Sequence, residues 1–180
     1  MKAAMTLALA LLLAGCAAGQ GGAGRTPAEE TTASGTEETT VLQGGGNPRR
    51  PPASALSYGG QDVKGTLGSY CWSSGNSYGC ADSIWPLIPS KQKTLTVPPG
   101  SEMVFRYGGQ SPPNTVEVRA YALKKLQKTG THRPDSSLTT RGSGVQRTIC
   151  AALPPGEYVL EVSVKEQQDD AAYYFRVVVE

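Results

Sequence analysis

The sequence predicts an all-β domain at residues 58–180, an antiparallel β-sandwich of about seven strands. Three observations lead there. Apolar and polar residues alternate with period two: Tyr158, Leu160, Val162 and Val164 share one face of their run, and Tyr173, Phe175, Val177 and Val179 share one face of the next. Pro98-Pro99-Gly100 and Pro154-Pro155-Gly156 stand before such runs as turns. All eight Tyr, both Trp and both Phe lie from Tyr58 onward. Alternation between turn signals is the mark of a half-buried antiparallel sheet. A small β-barrel is the alternative closure.

Composition narrows the classes of function. The 180 residues suit one ordinary domain. Gly (22) and Pro (13) are too few for a wholly disordered chain and too many for a helical bundle. A net charge of +2 gives no case for nucleic-acid binding. One His excludes blue copper, which needs two, and leaves little from which to build a Ser-His-Asp site.

The first element is the N-terminus. Met1 and Lys2 precede an apolar run, Ala3 to Ala14, broken only by Thr6. One positive charge and twelve mostly apolar residues fit a secretory signal peptide, and fall short of the roughly 20 residues that span a bilayer. The run ends in Leu13-Ala14-Gly15-Cys16, which resembles the lipobox of bacterial lipoproteins at all four positions. The resemblance implies a signal peptide at 1–15, cleavage between Gly15 and Cys16, and diacylglycerol (palmitate-type chains) on the Cys16 thiol. Two acyl chains hold a protein on a membrane stably where one does not. The expected location is therefore a cell membrane, lipid-anchored, on the extracytoplasmic side, at the cell surface or in a periplasm. Ala17 follows the Cys, so no Asp there signals inner-membrane retention.

Residues 17–57 hold three large aliphatic residues (Val41, Leu42, Leu56) and no aromatic. A segment so poor in apolar surface does not offset its ordering entropy. It reads as a disordered spacer of r.m.s. reach about 35 Å. A docking segment using Arg49-Arg50 is the alternative.

In the domain, strands are expected near 62–72, 93–97, 102–107, 115–122, 145–151, 157–165 and 171–179. Tyr121–Lys128 stays open between helix and strand. The last two strands pair as a hairpin through Gln167-Gln168-Asp169-Asp170. The segment Pro154-Pro155-Gly156-Glu157-Tyr158 with its alternating strand resembles the penultimate strand of immunoglobulin-like domains, where a Tyr serves as a corner tyrosine. That resemblance is one of pattern, over residues 93–179, and the Cys…Trp…Cys spacing of immunoglobulin domains proper is missing.

Cys71 and Cys80 flank a polar, Gly-containing loop that can turn back on itself. A bridge between them closes about ten residues and stabilises by roughly 2–3 kcal/mol in the chain-entropy model. The stretch Gly68-Ser69-Tyr70-Cys71-Trp72, with Cys80-Ala81-Asp82, also resembles a group of small secreted bacterial lipoproteins of unknown function. The resemblance supports the pairing and the location and supplies no activity. Cys150, between Ile149 and Ala151, is expected to be a buried inert thiol. Bridges from it to Cys71, Cys80 or another molecule are the alternatives.

Catalytic and metal residues are expected to be absent, and so are cofactors. His132 lies in a turn-like stretch, and the acids fall on polar strand faces or in turns. Charge is uneven: Arg119 to Arg147 holds seven basic residues and one acid, Asp135. Trp72, Arg119, Lys124, Lys125 and Lys128 are the candidate binding surface, for a cell-wall polymer or an envelope protein. The expected function is a membrane-anchored, non-enzymatic binding or structural module. The alternatives are an envelope hydrolase or its inhibitor, and an accessory or sensor subunit of a membrane complex.

Overall fold

The computed structural model describes residues 50–74, 77–82, 92–129 and 133–180; the side chains of residues 74, 77, 128 and 129 are outside that description. Twelve strands and one helix follow one another there. They are β1 Ser54–Tyr58, β2 Gln61–Lys64, β3 Thr66–Ser74, β4 Ser77–Ala81, β5 Thr94–Val97, β6 Glu102–Tyr107, β7 Thr115–Ala122, α1 Leu123–Thr129, β8 Ser136–Leu138, β9 Thr140–Arg141, β10 Gln146–Cys150, β11 Gly156–Glu166 and β12 Asp169–Val179.

They form two sheets, and the protein is an all-β sandwich. One sheet has the order β2-β1-β6-β10-β9. The other runs β4-β3-β12-β11-β7-β8, with β5 alongside β12. Every pairing is antiparallel except β5 with β12. The order β1-β6-β10-β9 against β7-β11-β12 is that of an immunoglobulin-type sandwich, ABED against CFG. The alternating faces close on each other as read from the sequence. Phe105 of one sheet meets the ring of Phe175 of the other edge-on at 6.1 Å and that of Tyr173 at 6.4 Å. Leu56, Met103, Ile149, Leu160, Val162 and Val177 fill the space around them. The Tyr158 hydroxyl donates to the Pro154 carbonyl at 2.9 Å, so the corner tyrosine is present. In the Pro98-Pro99-Gly100 turn, Gly100 takes φ 75° and Ser101 N–H returns to the Pro98 carbonyl.

Several expectations are corrected. The domain begins before residue 58: β1 lies between β2 and β6, and Leu56, assigned to the spacer, is 0% exposed. The single strand expected at 62–72 is two strands in different sheets. The chain crosses at Gly65, whose N–H reaches the Ser54 carbonyl at 2.8 Å. A Cβ there would lie 2.2 Å from the Ser54 hydroxyl and 2.8 Å from the Phe175 ring, so only glycine passes. The segment left open resolves as the end of β7 followed by α1. Leu123 and Leu126, three apart, bury on Val159, Tyr121 and Tyr174 against the outside of the seven-stranded sheet. Tyr174, which alternates with the core-facing Tyr173 and Phe175 of β12, is buried for this reason. The last hairpin turns on Gln167 and Gln168 alone, with Glu166 opposite Asp169. Gln167 has φ 54°.

Candidate binding face

Register places the outward residues of the seven-stranded sheet in rows. Thr115, Lys165, Asp170 and Cys71 stand side by side across β7, β11, β12 and β3. The next row is Glu117, Ser163 and Ala172. The third is Arg119, Glu161, Tyr174 and Thr66. Ser163 and Ala172 are short while their neighbours are long, which leaves a hollow of about 260 Å³. Ser69, Thr115, Glu117, Arg119, Lys165 and Asp170 stand around it.

One wall of the hollow is held firmly. Arg119 pairs with Glu117 at 3.1 Å and with Glu161 at 3.6 Å. The Glu161 side chain, 13% exposed, also accepts from the Tyr121 hydroxyl at 2.9 Å and the Ser163 hydroxyl at 3.2 Å. Burial, then the Glu161 charge and hydrogen bond, push the Tyr121 phenol up to about 12. The hydroxyl therefore remains a donor that fixes Glu161, which in turn fixes Arg119. At the start of β12 the Asp169 carboxylate accepts from Ser73 N–H at 3.0 Å and the Ser73 hydroxyl at 2.7 Å, joining the last hairpin to β3.

The residues proposed from sequence do not assemble into one basic surface. Arg119 is on the face but is neutralised there by its two carboxylates. Lys125 pairs with Asp135, whose other oxygen accepts from Ala122 N–H at 2.7 Å. Lys124 is exposed on α1. The Lys128 side chain, His132, Gly15 and Cys16 lie outside the described residues. Of the other cations in that stretch, Arg141 pairs with Glu102, and Arg147 donates to the carbonyls of Gly144 and Pro113. Trp72 does not belong to an exposed surface, since it is half-buried against the edge of the main core. Tyr78, next to it in the sheet and 61% exposed, is the apolar side chain that faces solvent there. Reading charge along the chain missed the hollow because its members come from β3, β7, β11 and β12. The signal available was the pair of short outward residues, Ser163 and Ala172, among long ones.

Cys71 and Cys80 are disulfide-bonded across the β3–β4 pair, with Cα atoms 4.1 Å apart, as the sequence predicted. Cys150, at the end of β10, is not a free thiol, so the inert-thiol expectation does not hold. The Cys71–Cys80 bridge excludes both of those residues as its partner. Among the described residues no group of His, Cys, Asp and Glu is placed to hold a metal, and no helix is long and apolar enough to cross a membrane. No protein-family model, curated protein or solved structure matches the chain.

Proposed function

We propose that the chain is a lipid-anchored extracytoplasmic binding module, without an enzymatic role, that meets its ligand on the outer face of the seven-stranded sheet. The observation that carries the binding half is the hollow at Ser163 and Ala172. A packed sandwich has no need of a depression rimmed by four charged side chains, one of them braced by two carboxylates. The anchoring half rests on Leu13-Ala14-Gly15-Cys16 and the apolar run before it. Together they describe a domain held at a membrane by its N-terminal side and free to offer one sheet face to the envelope.

Each half has its own experiment. Mass spectrometry of the membrane fraction reads the fate of Cys16. A diacylglyceryl thioether at the mature N-terminus is expected, and Cys16→Ser should release the protein from membranes. A thioether and a disulfide at Cys16 exclude each other, so Cys16 recovered in a disulfide overturns the anchor. For the face, retention of the full chain on purified envelope should fall with Ser163→Arg, which fills the hollow. It should persist with Lys124→Ala, away on α1. Retention unchanged by Ser163→Arg removes the face from the proposal.

A further inference from the structure

We infer that the hollow takes a dipeptide-sized zwitterion, a ligand with an ammonium and a carboxylate at its two ends and a net charge of zero or plus one. The inference rests on reading this face as the binding face.

Charge comes first. Lys165 and Asp170 are opposite each other in register, yet no ion pair joins them, and neither head has a side-chain partner among the described residues. Each is left to bind a charge of the opposite sign. Across the hollow Arg119 is already paired with both Glu117 and Glu161, so that side adds one net negative charge, which faces a ligand's ammonium. Three carboxylates against two cations leave this cluster slightly acidic. An anionic polymer is repelled by such a field, and a ligand bearing both signs is matched by it.

Dimensions come second. Successive outward rows are two residues apart along a strand, about 7 Å. An extended dipeptide spans about 7 Å. A volume of about 260 Å³ lies below the roughly 300–1,000 Å³ of sites for drug-sized ligands and suits something smaller. Among the described residues no aromatic side chain lines the hollow, so they offer no platform on which a sugar ring would stack.

The probe is glycylglycine, titrated into the isotope-labelled full-length chain in detergent micelles and followed through backbone amide shifts. Saturable shifts at Ser163, Lys165 and Ala172 are expected. Capping the ammonium (N-acetylglycylglycine) or the carboxylate (glycylglycinamide) should weaken binding, and so should Lys165→Met and Asp170→Asn, by about fivefold for each exposed charge lost. Both substituted residues are exposed, so thermal midpoints should stay unchanged. Shifts absent at the hollow, or capped dipeptides binding as well as glycylglycine, overturn the inference. So does a neutral disaccharide that shifts the same amides while glycylglycine does not. The envelope assay separates this failure from that of the face: retention lost with Ser163→Arg but no dipeptide shifts removes the ligand class and leaves the binding face standing.

Discussion

Raising the pH should unfold the domain in a steep step, because four of its tyrosines are held un-ionised. Tyr107, Tyr121, Tyr173 and Tyr174 are all 5% exposed or less. Burial is the first cause that raises each phenol above its ordinary value of 10.0. Carboxylates add to it, Glu166 through a 2.8 Å hydrogen bond at Tyr107 and Glu161 at Tyr121 and Tyr174. In the unfolded chain these phenols ionise near pH 10, while in the fold they keep their protons. The folded state then binds more protons, so this contribution is intact below pH 10 and is lost as pH rises above it. Each group costs about 1.4 kcal/mol per pH unit, and the four together about 5–6 kcal/mol per unit. Set against a total stability of about 5–15 kcal/mol, the midpoint falls between about pH 11 and 13. Tyr121, pushed only to about 12, is the first of the four to stop contributing. Tyrosinate absorbance and far-ultraviolet circular dichroism, recorded together, provide the assay. The four should lose their protons in one step, well above pH 10, as the β signal collapses. These four ionising near pH 10, with the sheet signal intact, would refute the reasoning.

Three further outcomes are expected. Tyr158→Phe removes the hydrogen bond to the Pro154 carbonyl and should lower stability by about 1–1.5 kcal/mol in denaturant unfolding; an unchanged midpoint would mean that the corner contributes nothing. Gln167→Gly relieves the positive φ of the last hairpin and should raise stability by about 0.5–1 kcal/mol, while the same backbone N–H still reaches the Asn114 side chain. Asp135 is held below its ordinary value of 3.8 by the hydrogen bond from Lys125, then by Ala122 N–H. Its contribution is present above pH 3.8 and fades as pH falls through the lower folded value. Protection of the Ala122 amide, measured against its intrinsic exchange rate at each pH, should therefore fall in acid, and Asp135→Asn should abolish that dependence.

What the sequence revealed follows from how local the signal was. Hairpin β11–β12 and the corner at Tyr158 announce themselves because alternation, Pro-Pro-Gly and Tyr sit within 25 residues of one another. β1 was hidden because Leu56 is its only large aliphatic residue. Ser54 and Ala55 are small, and their burial comes from partners about fifty residues away in β6. The crossing at Gly65 was hidden because the reason no side chain fits there is Phe175, 110 positions on. α1 covers a patch formed by Val159 and Tyr174, so nothing in the stretch from Tyr121 to Lys128 alone decides between helix and strand. The charged residues misled in the same way. Arg119, Arg141 and Arg147 look like free cations along the chain, and in the fold each is satisfied by groups that register or a loop brings to it.

The place of β12 in its sheet bears on when the domain is able to form. β12 carries β11 along one edge, and along the other it carries β3 on its first half and β5 on its second. Three strands therefore share one template, and that template leaves the ribosome after all three. Until residue 179 has emerged, β3 and β5 have no edge to pair with, and β11 lacks its longest partner. Contacts this distant in sequence make folding slow and late. Until then the core-facing sides of β3, β5 and β11 have no common strand to assemble on, and the five-stranded sheet has no complete partner to close against.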